Sequence, residues 1–168
     1  MPRFSTRTLT SMALLIALEI VLSRFLSISA WNTKIGFAFV PVVIAAILLG
    51  PLYAGIVGAA ADFLGALLFP IGAYFPGFTL TAFLMGLCYG LFLYRNQSFP
   101  RTLGAVAVHQ LILSLLLNTL WISVLYGSPF GPLLVTRLVQ SAILTVVQIM
   151  VIELIVKALP RLRRGFST

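Results

Sequence analysis

Read for polarity alone, the chain is a succession of long apolar stretches broken by short clusters of glycine, proline and polar residues. Six segments stand out: Thr8 to Ile28, Gly36 to Leu49, Tyr53 to Phe69, Gly77 to Tyr94, Leu103 to Tyr126 and Leu133 to Leu159. Most approach the roughly 20 apolar residues that a helix needs to cross a hydrocarbon layer. Backbone in lipid must satisfy its own hydrogen bonds, which favours helix throughout. Gly50-Pro51, Pro70-Ile-Gly-Ala-Tyr-Phe-Pro76 and Gly127-Ser-Pro-Phe-Gly-Pro132 supply the turn signals between segments. The second segment is short and contains Pro41, which lacks an amide hydrogen, so tilt, a kink or a partial crossing is expected there. The pattern predicts an all-α fold: a single integral membrane domain over residues 1–168, built as a bundle of six transmembrane helices.

Composition makes the bilayer the solvent. Hydrophobic residues make up 61% of the chain and charged residues 8%, against about 25% charged in soluble domains. Six spans leave no room for a soluble domain, and no G-x-x-x-x-G-K-[ST] string is present to cradle a nucleotide phosphate. Any motor for active transport therefore belongs to another chain. The first apolar run follows Arg3 and Arg7, and Ser27-Ile-Ser-Ala30 loosely resembles a cleavage site. Its length from Leu9 to Ile28, and Arg24 within it, instead predict a retained span. Cys88 is the only cysteine, so no intrachain disulfide can form.

Eleven Lys and Arg against three Asp and Glu would suggest nucleic acid in a soluble protein. In this setting the basic residues orient the chain instead, and no nucleic-acid partner is expected. Arg3, Arg7, Arg95, Arg101, Lys157, Arg161, Arg163 and Arg164 all fall at the termini or in the link between the fourth and fifth segments. An even number of spans puts both termini on that side, which the positive-inside rule makes cytoplasmic.

Arg24, Lys34 and Arg137 fall at the opposite ends, where the rule predicts few cations. A charge near or inside hydrocarbon costs several kcal/mol unless it is paired or hydrated. Glu153 lies toward the cytoplasmic end, which leaves Glu19 and Asp62 as internal partners; an anionic ligand would complete the neutralisation. Snorkelling to the outer headgroups is the alternative for these cations, Lys34 above all. Arg137 leads a polar stripe, because Arg137, Ser141 and Gln148 fall within about 40° of one direction on a helix, with Gln140 and Thr145 on either side. Gln110, Ser114, Asn118 and Trp121 share a face of the fifth segment by the same spacing. Such stripes face either neighbouring helices or a cavity, and Trp121 beside amide side chains suits a flat, hydrogen-bonding ligand.

The aromatic stretch from Pro70 to Thr79, with Tyr74 and Phe75, serves either as a lid over an outward-facing cavity or as an interfacial belt. Asp62 falls near the middle of its span, positioned to pair Arg24 or Arg137 or to accept hydrogen bonds from an N–H-rich ring. Ala13 and Ala17, and separately Gly86 and Gly90, are small residues four apart that allow close helix approach. Catalytic and metal-binding patterns are lacking: His109 is the only histidine, placed near the cytoplasmic start of the fifth segment as an interface residue.

With these residues in view, the chain resembles the folate-specific substrate-binding subunits, or S-components, of energy-coupling-factor vitamin transporters. The resemblance runs almost end to end. It rests on Ala13-Leu-Leu-Ile-Ala17, on Leu22-Ser-Arg-Phe-Leu-Ser-Ile28, on Ile35-Gly-Phe37 leading to Pro41, and on Pro70-Ile-Gly-Ala-Tyr-Phe-Pro-Gly-Phe-Thr-Leu-Thr81. It implies a non-catalytic, six-helix vitamin binder in a prokaryotic plasma membrane, with no cofactor of its own. The implied partners are folate, a transmembrane coupling subunit packing on Ala13 and Ala17, and two cytoplasmic ATPases that use ATP to reset a toppling cycle. On chemical grounds Asn118, Gln148 and Asp62 are matched to the pterin edge and Trp121, Tyr74 and Phe75 to the rings. Arg24, Lys34 and Arg137 are matched to the carboxylates, and Thr79 belongs to the same candidate site. Another vitamin, riboflavin or thiamine, and a self-sufficient secondary transporter are the alternatives.

Overall fold

The computed structural model describes the backbone of residues 5–30 and 33–166 and the side chains of residues 5–27 and 36–158. The helices are α1 (Thr6–Arg24), α2 (Phe39–Leu48), α3 (Pro51–Leu68), α4 (Pro76–Leu93), α5 (Phe99–Tyr126) and α6 (Phe130–Phe166). Five of these helices are long and apolar enough to cross a membrane.

The second predicted span differs from that pattern. Only ten residues of α2 are helical, about 15 Å at 1.5 Å per residue, half of a typical hydrocarbon thickness. Pro41 occupies the first turn, where its missing N–H has no intrahelical partner to lose, so it starts the helix instead of kinking it. The chain before it forms an addition to the expected all-helical plan. Two three-residue strands, β1 (Ile28–Ala30) and β2 (Thr33–Ile35), pair antiparallel, with Ile28 opposite Ile35 and Ser29 opposite Lys34.

Short connections return each helix beside its predecessor. At one end, Gly50 (φ +102°) turns α2 into α3, and a Cβ there would lie 3.3 Å from the ring of Tyr94, just past the end of α4. At the other end, Gly127 (φ +63°) closes α5 in the left-handed conformation that glycine adopts without steric cost. There the loop 69–75 reaches across to α5, where Gly72 approaches the Tyr126 hydroxyl. The α3–α4 contact is the closest in the bundle. Gly86 and Gly90 lie directly on the backbone of Ala54 and Pro51, and a Cβ at Gly58 would fall 2.7 Å from the Ala82 carbonyl oxygen. The Gly86/Gly90 pair is thus spent on packing within the chain.

The apolar core gathers at the Gly50 end. Val42, Val43, Ala45, Ala46, Tyr89 and Ile152 are fully enclosed there. Toward the Gly127 end the bundle opens around a cavity.

Candidate functional site

The cavity holds about 420 Å³, within the roughly 300–1,000 Å³ of small-molecule sites. Helices α1, α3, α4, α5 and α6 and the loop 69–75 all contribute to its wall. Its residues divide into three levels.

Loop 69–75 forms the outer level. Ile71 to Phe75 line the cavity, with Ile71 and Tyr74 also exposed at its mouth, so the loop is part of the wall as well as part of the exposed surface. Its position is tied down at Tyr74: the hydroxyl lies 3.1 Å from Thr79 Oγ1, and Thr79 in turn donates to Asp62 Oδ2 at 2.8 Å. Phe63 meets the Tyr74 ring edge-on at 5.8 Å. Asp62 lines the cavity, whereas Thr79 does not; Thr79 stands behind the wall and joins the loop to α3.

Arg24 and Arg137 belong to the middle level. Arg24 ends α1 and lays its guanidinium on α3 at Gly65, where a Cβ would stand 3.0 Å from Nε; Asp62 is one helical turn away. Arg137 is only 7% exposed, so it is not a cation reaching for headgroups. It donates to the Ser114 carbonyl at 3.4 Å, and its Nε has no hydrogen-bond partner among the described residues. Gln110 Nε2, Asn118 Oδ1 and Arg24 Nε are likewise buried and without partners among the described residues. Most buried polar atoms in proteins are paired. Four such atoms on residues lining one cavity mark a surface shaped for a polar ligand.

The inner level is the floor, where His109 and Gln148 line the cavity. His109 is therefore not an interface residue: it is 8% exposed and hydrogen-bonded to Tyr89 and Gln148, because the bundle folds α4 and α6 around it. Among the described residues no His, Cys, Asp and Glu gather in a metal-binding group.

The fifth helix departs from the expected face. From Val108 to Leu117 it widens into a π-helix, with the Asn118 N–H reaching back to the Leu113 carbonyl. The wider turn moves the lining positions, so Gln110, Ser114 and Asn118 are followed by Ile122 and Tyr126. Trp121, expected on that face, leaves the cavity wall. It donates to Thr81 Oγ1 at 3.0 Å and backs Phe75 at 5.6 Å between ring centroids.

Of the residues matched to a ligand by sequence, Arg24, Asp62, Tyr74, Phe75, Asn118, Arg137 and Gln148 come together on the cavity, and Thr79 and Trp121 form its backing. The Lys34 side chain lies outside the described residues. Sequence reasoning missed Ser23 and Ser27 as lining residues and assigned Glu19 only as a charge partner; their four-residue spacing along the end of α1 was a legible polar stripe. Ala13 and Ala17 lie exposed on the far side of α1.

Comparison with known proteins gives a consistent neighbourhood. Residues 3–161 match the family model described as ECF-type riboflavin transporter, S component. The chain is 48% identical over 142 residues to the folate transporter FolT of Clostridium novyi, covering 84% of this chain and 83% of that protein. It is 32% identical over 155 residues to the FolT of Leuconostoc mesenteroides, covering 88% and 83%. A crystal structure of FolT bound with folic acid superposes with a TM-score of 0.85 at 36% identity, covering 89% of this chain and 92% of that one.

Proposed function

Since this chain belongs to the family of ECF-type transporter S components, whose members are non-catalytic substrate-binding subunits, we propose that it is the folate-binding subunit of an energy-coupling-factor importer. It captures folate from outside a prokaryotic plasma membrane and releases it inward. The observation that carries this reading is the buried Arg137, with an unpartnered Nε, on a cavity that also presents Arg24 and the unpartnered amide atoms of Gln110 and Asn118. Folate supplies the complement: two carboxylates for the cations, a flat aminobenzoyl group, and a pterin that exchanges hydrogen bonds along its edge.

Gln148 lies eleven residues beyond Arg137 on α6, about 16 Å along the helix at 1.5 Å per residue. That separation suits a ligand lying lengthwise, pterin on the floor and glutamate toward Arg137 and Arg24. The basic termini are cytoplasmic, so the loop 69–75 faces outward. Ala13 and Ala17, exposed on α1, meet the transmembrane coupling subunit, and two cytoplasmic ATPases drive the toppling that carries folate across. This chain needs no cofactor.

The family description names riboflavin, which makes that vitamin the second reading. Riboflavin carries no carboxylate and leaves Arg137 uncompensated, a cost of several kcal/mol for a charge within the membrane. Binding of folate, riboflavin and thiamine to the detergent-solubilised protein decides between them. Folate is expected to bind far more tightly than either; tight riboflavin binding with none for folate would overturn the assignment.

A further inference from the structure

Beneath the cavity three side chains form a closed hydrogen-bond triangle. Tyr89 Oη lies 3.0 Å from Gln148 Oε1 and 3.1 Å from His109 Nδ1, and Nδ1 lies 3.2 Å from the same Oε1. Tyr89 is fully enclosed and does not line the cavity, whereas His109 and Gln148 do.

With the Gln148 amide oxygen turned toward Tyr89, as it stands here, the proton count of this triangle closes in one way. The amide oxygen only accepts, and its two lone pairs meet two donors: the Tyr89 hydroxyl and a proton on Nδ1 of His109. With its single proton given to Gln148, the Tyr89 oxygen shares the one Nδ1–H with Oε1 in a three-centre bond, so every contact is donor to acceptor. A proton on Nδ1 leaves Nε2 of the neutral ring with a lone pair, and an engaged Oε1 leaves both N–H donors of Gln148 on the side away from Tyr89. The cavity floor therefore offers one acceptor, His109 Nε2, beside a pair of donors, Gln148 Nε2.

We infer that Tyr89 is a positioning residue that sets ligand specificity, holding His109 and Gln148 in the donor and acceptor order that reads a ring edge carrying a carbonyl next to an N–H. This inference rests on the folate reading and names the subsite for the pterin. Gln148 donates to the pterin 4-carbonyl, and His109 accepts from the adjoining N3–H. The 4-amino-4-deoxy analogue of folate reverses that edge: an amino group replaces the carbonyl, and N3 becomes an acceptor. It would set donor against donor and acceptor against acceptor on this floor, and mismatched buried polar groups discriminate strongly.

The test is the ratio of folate affinity to 4-amino-4-deoxyfolate affinity, measured on the full chain in detergent. The wild-type protein is expected to prefer folate by at least about tenfold. Tyr89→Phe keeps the ring and removes the hydroxyl, so Gln148 is free to turn its amide and the ratio is expected to fall toward one. Gln148→Glu is the second variant, independent of how the tyrosine site packs. It replaces the donors by acceptors, so each compound then meets one match and one mismatch on this floor, and the ratio is again expected to fall toward one. Equal weakening of both ligands in Tyr89→Phe, or an unchanged ratio in both variants, would overturn the positioning role while leaving folate binding intact. A wild-type protein that binds riboflavin and not folate would overturn the underlying reading, and the pterin subsite with it.

Discussion

Arg137 and Arg24 look alike in sequence, two cations where the positive-inside rule wants none, yet the fold makes them testable in different ways. Arg137 is buried, with its Nε unpartnered among the described residues. In such a place a charge-assisted pair with a carboxylate contributes on the order of 1.5–3 kcal/mol. Arg137→Ala is accordingly expected to weaken folate binding roughly ten- to a hundredfold, while pteroate, which lacks the glutamate, loses much less. Equal loss of the two compounds in a titration would move Arg137 away from the tail. Arg24 can be displaced without being removed, because its guanidinium rests on Gly65 with 3.0 Å from Nε to a Cβ built there. The far end of an arginine yields by a few tenths of an ångström, so Gly65→Ala should leave the melting temperature nearly unchanged and lower folate affinity only slightly, whereas Arg24→Gln removes the charge and should lower it clearly; an unchanged affinity in Arg24→Gln would show that Arg24 does not contact the ligand. Depth and spacing made these two residues readable from sequence, since a cation in hydrocarbon demands a reason. His109 was not readable in that way. Its environment comes from Tyr89, twenty positions earlier, and Gln148, thirty-nine later, and no local pattern encodes a contact made only by the fold.

Helix boundaries followed from composition where turns carry glycine and proline, as at Gly50-Pro51 and after Gly127, and failed where the periodicity itself changes. The π-helical stretch of α5 rotates Trp121 out of a face that regular spacing assigns to it. No glycine, proline or other marker among the residues from Val108 to Leu117 signals it. The loop 69–75 was visible as an aromatic, turn-rich string, but its role depends on the bridge from Tyr74 through Thr79 to Asp62. Thr79→Val keeps the shape and deletes the bridging hydroxyl, so it frees the loop without altering the cavity wall. With hydrogen bonds contributing about 0.5–1.5 kcal/mol each, folate dissociation is expected to accelerate roughly two- to tenfold, with association little changed. Stopped-flow release of bound folate reads this directly, and an unchanged off-rate would remove the loop from control of exit. Helix α1 divides its faces differently: Met12, Leu15 and Glu19 turn inward, whereas Ala13 and Ala17 are exposed. Indole side chains at the two alanines would hold a partner helix away and forfeit close van der Waals packing. Ala13→Trp combined with Ala17→Trp is therefore expected to abolish uptake in the presence of the coupling module and to spare folate binding by the isolated chain. Lost binding with assembly intact would refute the assignment of that face.

At the scale of the whole molecule, the distribution of packing matters more than any single contact. The cavity occupies the half of the bundle beneath loop 69–75, and the other half is filled by the fully enclosed side chains of Val42, Val43, Ala45, Ala46, Tyr89 and Ile152. The half-length α2 contributes most of this plug, and its ten residues, too few to span, are spent on filling the bundle. A ligand resting on His109 and Gln148 thus has close-packed apolar side chains below it, and opening a path there would cost the burial of several residues at about 1.5–3 kcal/mol each. Passage straight through the chain is disfavoured on that ground, which supports delivery by reorienting the loaded bundle as a body. Concentrating a ligand inside by such a movement needs an external source of work, and the chain has no G-x-x-x-x-G-K-[ST] string. The expected outcome in proteoliposomes is a separation of two steps. The purified chain alone binds folate at its outward face but accumulates none inside, with or without ATP or an ion gradient. Accumulation begins only when the coupling subunit and ATPases are incorporated and ATP is supplied on their side. Concentrative uptake by this chain alone would contradict both the plugged architecture and the division of labour inferred from it, and would return the secondary-transporter alternative to first place.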